Sequence, residues 1–341
     1  MTTTILGFGN PLLDISVFLN DDYLLKKYSL KKDDQKEICK SDMISLYKDI
    51  QGLKQHLSSG GCCSNTFRVL QWVLKKKANL FLYGTVGKDE EANILRDSLK
   101  LDGVNSRFNE HETMPTGKII ALISGPYRSL VAYIGAAEFF PKNILCSDKD
   151  FINLFKSSEL IFMEAFFLTN RADVAKYVAD LCSINKKILA FNLCGEYIFN
   201  IVPKEILYLV RHSDIIFGNQ HEFEALMKLL NYASISNMIS ELLKVTEDKF
   251  QYKRIFIITN GPNPVTCYYS NGECFKMMPS HLSDKNIVDT TGAGDAFIGG
   301  FLAGMLLSKE IKECVKIGIY ASENIIKEIG CTLPKHEAKI P

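Results

Sequence analysis

The stretch "DTTGAGDAFIGG", Asp289 to Gly300, joins two groups that ordinarily repel. Gly292, Ala293 and Gly294 let successive backbone N–H groups converge as an anion nest, and the apolar run behind them supplies a helix whose positive end points there. Asp295 puts a carboxylate beside that nest. No Gly-Lys-Ser/Thr follows, so this is not the Walker pattern.

Four other stretches carry residue types that can do chemistry. In "GFGNPLLD", Gly7 and Gly9 have G-x-G spacing, but Leu12 stands where a dinucleotide fingerprint needs its third glycine. Asp14 is read as lying beyond the carboxyl end of the first strand, where it can accept two hydrogen bonds from a vicinal diol or serve only as a cap or turn aspartate. In "SSGGCCSNTFRVLQW", Gly60 and Gly61 precede a helix and Asn65 offers both a donor and an acceptor to sugar hydroxyls; a plain turn plus cap explains the glycines equally. Asn219 and Glu222 in "FGNQHE" form a capping box, or order water around Mg²⁺. Thr259, Asn260 and Gly261 close another strand, as an ordinary turn or as a lining for a nucleotide's phosphates or ribose.

Those residues need a frame. Short apolar runs ("TILGF", "NLFLYGTVG", "ELIFMEAFF", "KILAFNL", "DIIFGN", "RIFIITNG") alternate with helical patterns over Ser64 to Lys77, Asp89 to Leu101, Asn170 to Asn185, His221 to Leu230 and Ile235 to Val245. Strands apolar on both faces with helices between them predict an α/β fold with a mostly parallel central sheet. The run from Thr116 to Ile134 instead reads as two strands joined by a Gly-Pro turn, an antiparallel ribbon. It predicts a small β lid from segments 15–38 and 112–137, inserted in a single domain spanning 1–341.

Composition removes other classes. At 341 residues, 47% hydrophobic and 23% charged, the chain is globular, and a net charge of +1 with scattered cations argues against nucleic acid as a partner. Ten cysteines without zinc-like spacing read as reduced thiols of a cytoplasmic protein. The N-terminus lacks a basic leader segment, and Ala296 to Leu307 is too short to span a bilayer, so no membrane partner is expected.

Together these segments resemble the ribokinase-like sugar kinases of the PfkB family, whose most characteristic motif, DTxGAGD, is matched by Asp289 to Asp295. The Gly-Gly followed by Asn and the Asn-x-x-Glu match that family in order and spacing. The stretches "GNPLLDIS", "KYSLKKDDQ", "GGCCSNTFRVLQW", "PTGKIIALISGPYRSL", "FFLT", "FGNQHE" and "GCTLP" resemble its adenosine-phosphorylating members. The resemblance implies a ribokinase-like fold and transfer of the γ-phosphate of MgATP to the 5′-hydroxyl of adenosine, by a monomer whose partners are those two small molecules. It implies that Asp14, Gly60, Gly61 and Asn65 hold the ribose, that Asn10 and Leu12 shape the nucleoside pocket, that Phe166 stacks on adenine and that Leu130 closes from the lid. It assigns Arg128 to ATP phosphates, Asn219 and Glu222 to Mg²⁺ through water, and Thr291 to ATP contacts, while Thr259, Asn260 and Gly261 are read from their place at a strand end to line the nucleotide. Gly292, Ala293 and Gly294 would bind the transferring phosphoryl group and Asp295 would be the base. Cys62-Cys63-Ser64 and Thr291 depart from common residues of that family, which bears on pocket shape and ATP contacts without removing a catalytic group. A kinase for another nucleoside or a free sugar, and a catalytically silent nucleoside binder, are the alternatives.

Overall fold

The computed structural model describes residues 3–32, 35–125, 127–244, 254–269, 273–283 and 286–340. Its strands, in chain order, are β1 (Thr4–Phe8), β2 (Leu12–Phe18), β3 (Gln35–Glu37), β4 (Gln55–Gly60), β5 (Asn79–Gly87), β6 (Val104–His111), β7 (Gly117–Ser124), β8 (Tyr127–Tyr133), β9 (Ser158–Glu164), β10 (Ile188–Asn192), β11 (Ile215–Asn219), β12 (Ile255–Asn260), β13 (Asn263–Tyr269) and β14 (Cys274–Met277). Nine form one sheet in the order β14-β13-β12-β11-β10-β9-β1-β5-β6. It is parallel from β12 to β6, and only the β12-β13-β14 edge is antiparallel. Adjacent residues of its strands enter opposite cores. Ile5 packs with Phe67 and Phe301 on one face, while Leu6 packs with Phe191 and Val178 on the other. A sheet covered on both sides explains why these strands read as unbroken apolar runs.

The remaining five strands form a second sheet, β3-β8-β7-β2-β4. β7 and β8 pair antiparallel as expected, with Ser124 opposite Tyr127. β2 begins at Leu12, before the predicted start of the lid, and runs parallel to β7. β4 was not expected, because "QHLSSG" has no apolar alternation; it closes the sheet edge against β2. One face of this sheet buries Ile15, Val17, Ile120, Val131 and Leu46 in a core of its own.

Element ends deviate for local reasons. The strand expected over "ELIFMEAFF" stops at Glu164, and Ala165–Leu168 turns into a short 3-10 helix. The helix expected to run to Lys77 spans Cys62–Val73 instead. Lys75 and Lys76 take left-handed φ of 53° and 57°, and the Lys76 N–H donates to the Gln71 carbonyl, a Schellman-type stop. The other four expected helices appear as Glu90–Leu101, Ala172–Asn185, Gln220–Leu229 and Ile235–Lys244. Asp33 and Asp34 of the expected lid, Pro126 of its turn, and Val245 lie outside the described residues. No helix among the described residues is long and apolar enough to cross a membrane.

Candidate active site

The motif read first sits where the main sheet's carboxyl ends face the second sheet. Gly292 caps the helix Ala293–Leu306 with φ 72°, and a Cβ there would lie 2.7 Å from the Cys331 side chain. Ala296 is the first residue to close a helical bond, to the Gly292 carbonyl at 2.7 Å, and the Ala293 N–H turns back to Thr290. The first-turn amides of Gly294 and Asp295 are therefore the ones without a helical acceptor. A Cβ built on Gly294 meets nothing within 4 Å, so the approach to those amides is open.

Asp295 is buried, and its Oδ2 accepts a 3.0 Å hydrogen bond from Asn65 Nδ2. Burial pushes its carboxyl up to about 6, against the pull of Asn65 and Cys62. The helix Cys62–Val73 positions Asn65 one turn beyond Gly61, whose φ of 89° carries the chain past the Asn10 carbonyl. A side chain at Gly61 would stand 1.9 Å from that oxygen. Asp14 does not lie beyond the end of a main-sheet strand, as expected. The Asn10-Pro11 corner takes the chain off the main sheet, so Asp14 sits within β2, opposite Ser58 of β4. Its carboxylate lies over Gly60, where a Cβ would come within 2.0 Å of Oδ1. Burial pushes Asp14 up to about 7 despite Arg128 and Arg68. The Asp14 Oδ1 and Asn65 Oδ1 atoms are buried acceptors with no hydrogen-bond partner among the described residues. Buried acceptors are almost always satisfied, so this pair calls for a donor.

Most of the expected residues line one of three spaces, but Asp14, Gly60, Asn65, Gly292 and Ala293 line none of them. Asn10, Leu12, Gly61 and Phe166 line a cavity of about 120 Å³, with Phe166 stacked on Tyr197 at 5.8 Å between ring centroids. Asn219, Glu222, Thr259, Gly294 and Asp295 line a second of about 240 Å³, and Cys62 and Phe166 border both. Arg128, Leu130 and Thr291 line an outer cleft of about 790 Å³. Leu130 is thus in the outer cleft; Ala132 and Ile134, the next residues on its side of β8, face the inner cavity. Asn260 and Gly261 form the β12-β13 turn, and neither borders these spaces.

Asn219 and Glu222 make the full capping box. The Glu222 carboxylate accepts from the Asn219 N–H and Nδ2, both at 2.8 Å, while Asn219 Oδ1 accepts from the Glu222 N–H at 2.9 Å. Burial pushes Glu222 up to about 8, opposed by the Asn219 N–H. No group of three or more His, Cys, Asp or Glu among the described residues could hold a metal by itself. A hydrated Mg²⁺ fits this donor set all the same, since it keeps its waters, rests on one carboxylate and takes substrate phosphates. The Asp295 carboxylate adds to the upward push on Glu222, which a nearby cation would offset.

Three residues were not foreseen. Glu164, fully buried at the end of β9, accepts from the Asn10 N–H at 2.9 Å and the Cys63 N–H at 2.6 Å, joining the first corner to the Gly-Gly helix. Arg171, also buried, donates to Asn10 Oδ1 at 2.7 Å and the Phe166 carbonyl at 2.9 Å. The signal for Glu164 was present, a lone charge closing an apolar strand. Asp289, quoted in the motif without a role, accepts from Arg128 at 2.5 Å, from the Thr291 N–H and hydroxyl, and from the Gly330 N–H. Burial pushes Asp289 up, but Thr291 and Arg128 outweigh it and hold the carboxyl below its ordinary value.

The model of the pfkB family carbohydrate kinases matches residues 38–338. An adenosine kinase of Dictyostelium discoideum is 32% identical over 337 residues, covering 98% of each chain. The crystal structure of Anopheles gambiae adenosine kinase in complex with P1,P4-di(adenosine-5) tetraphosphate superposes with a TM-score of 0.87 at 30% identity, covering 97% of each chain. Adenosine kinase from Schistosoma mansoni in complex with 2-fluoroadenosine gives a TM-score of 0.88 at 28% identity, covering 98% of this chain and 99% of that one.

Proposed function

The chain belongs to the pfkB family of carbohydrate kinases, and from that premise we propose that it uses ATP to phosphorylate adenosine. The observation that carries the reading is the unpartnered pair Asp14 Oδ1 and Asn65 Oδ1. Ribose hydroxyls at positions 2′ and 3′ supply the donors those atoms lack. Asn65 also holds Asp295, so the residue that takes the sugar orients the base.

In this mechanism adenosine enters with its base against Phe166 and Tyr197, and its 5′-hydroxyl directed at Asp295. The 120 Å³ cavity is small for a nucleoside, since small-molecule sites run to roughly 300 Å³ and above. The second sheet therefore acts as the lid, moving out to admit substrate and back to exclude water. Asp295 removes the 5′-hydroxyl proton as the oxygen attacks the γ-phosphorus, and the bond to ADP breaks. The amides of Gly294 and Asp295 receive the charge of the transferring group, with Gly292 and Ala293 shaping the turn. Arg128 lies at the phosphate side of the outer cleft with Thr291, held by Asp289. Glu222 and Asn219 would hold Mg²⁺ through water. That ion would neutralise phosphate charge when bound. Thr259 borders the nucleotide side of the same space.

An acceptor panel tests the proposal. Adenosine should be phosphorylated at its 5′-position in preference to inosine, ribose and fructose; turnover of free sugars alone would sink it.

A further inference from the structure

The nucleoside cavity is lined by two carboxylates that the mechanism above leaves idle. Asn10, Glu164 and Arg171 in that lining are taken up by one another and by backbone groups. The other charged residues of the lining are Glu37 of β3 and Glu138, at the end of the 3-10 helix Gly135–Glu138. Glu138 accepts a long bond of 3.5 Å from Asn170 Nδ2. Glu37, exposed to solvent, has no hydrogen-bond or ion-pair partner among the described residues. Burial of part of its side chain and the nearby Glu138 charge push its carboxyl up from its ordinary value, which an N–H donor would relieve.

The register of the second sheet fixes where Glu37 stands. Glu37 pairs with Ala132 of β8, Ala132 with Ile119 of β7, and Ile119 with Asp14 of β2. Residues paired across neighbouring strands project from the same face, and Ala132 and Ile119 line the cavity, so the whole row faces the cleft. It carries a carboxylate at each end. Three strand spacings of roughly 4.8 Å put the two Cα atoms about 14 Å apart. A purine nucleoside laid along the row, with a hydrogen bond of roughly 2.9 Å at each end, fits that span. With its ribose hydroxyls at Asp14, the edge of the base farthest from the sugar lies at Glu37.

The aromatic pair assigned to the base agrees with this direction. Phe166 stacks on Tyr197, and burial followed by the Glu37 charge pushes the Tyr197 hydroxyl up to about 12. An ionised carboxylate accepts and cannot donate. On the far edge of adenine the donor is the 6-amino group. We propose that Glu37 accepts a hydrogen bond from the 6-amino group of adenosine and so sets which purine is preferred. The assignment rests on the kinase reading above. Because β3 is the edge strand of the moving sheet, the bond forms as that sheet closes.

The test is kcat/KM for adenosine and for purine riboside, which is adenosine without the 6-amino group, in the wild type, Glu37→Leu and Glu37→Gln. The wild type should favour adenosine by roughly tenfold, the low end for a hydrogen bond to a charged acceptor because Glu37 is open to water. Glu37→Leu should bring the ratio near one, chiefly by raising the KM for adenosine. Glu37→Gln keeps an uncharged acceptor and should fall between. Equal ratios in the three proteins, or losses in both variants shared alike by the two substrates, overturn the assignment and leave the kinase reading in place. A wild type that phosphorylates neither substrate, or prefers inosine or guanosine, whose N1–H also donates, overturns the adenosine reading and the assignment with it.

Discussion

The two sheets solve different problems with similar material. In the nine-stranded sheet, the central strands are buried on both faces, and the site's charged or amide side chains on it sit at its carboxyl ends, as Glu164 and Asn219 do. The five-stranded sheet buries one face in its own core and turns the other to the cleft, so Asp14, Arg128 and Ala132 project from within its strands. The difference teaches a division of labour. In the proposed mechanism the transfer groups Asp295 and Glu222 stand on helix ends at the main sheet, the thinner sheet contributes Asp14 and encloses the cleft, and the Arg128–Asp289 ion pair joins that sheet to the motif.

The largest expected effect falls on the rigid side. Asp295→Asn should lower kcat by about 10²–10⁴-fold, the usual weight of a general base, while adenosine affinity stays nearly constant in calorimetry. The pH profile follows from the sign of the shift. Asp295 works deprotonated and burial raises it to about 6, so wild-type kcat should fall as pH drops through 6 and level off above. A profile flat down to pH 4 would remove Asp295 from the base role.

Breaking the tie between the sheets comes next. Asp289→Ala removes the Arg128–Asp289 ion pair and leaves the Gly330 and Thr291 N–H groups without their acceptor, and should cost roughly 2–3 kcal/mol in denaturant unfolding, with Arg128's partial exposure taken into account. If stability is unchanged, the two sheets are not held there.

Asp14 separates recognition from folding. Its carboxyl is raised from 3.8 to about 7, so the folded form loses stability as pH rises between those values. Asp14→Asn should therefore make the ligand-free protein more stable at pH 7 while weakening adenosine binding by about 1.5–3 kcal/mol, the range for a hydrogen bond to a charged group. Loss of both stability and affinity would mean the carboxylate is structural. Phe166→Ala should weaken adenosine by about 1–3 kcal/mol through lost stacking, with little change in kcat. An equal loss for ribose, which has no base, would remove the stacking role.

Much of this was legible in the sequence because the main sheet's physics is local. Unbroken apolar runs and a glycine-rich helix start announce themselves within a short window. The second sheet was legible in its ribbon and in the segment 15–38, which carries most of β2 and all of β3, but not in β4. β4 is polar and pairs with β2 across a long intervening segment that holds β3 and the helix Lys40–Asp49, which no local pattern encodes. Placing Asp14 at a strand end failed because Pro11 turns the chain from one sheet into the other just after β1. Leu130 was one register step from the inner cavity, a distinction set by the pleat and by where β8 crosses the cleft. Arg171 was invisible because its partners are a distant amide and backbone carbonyls.

The helix Ala293–Leu306 is seated between the helices Cys62–Val73 and Ile311–Ile325 at glycine contacts. A Cβ on Gly299 would meet the Thr66 carbonyl at 2.6 Å, and one on Gly300 the Ile317 carbonyl at 2.5 Å. Backbones that close leave no room for sliding, so opening this helix to solvent requires unfolding the domain core around it. Its hydrogen-bonded amides beyond the first turn should then exchange with deuterium only through global unfolding, on the slowest timescale in the molecule, while those of β3 and β8 exchange through smaller openings. In the proposed mechanism turnover would then be paced by the opening of the second sheet, while the helix assigned to the phosphate would stay fixed from one cycle to the next.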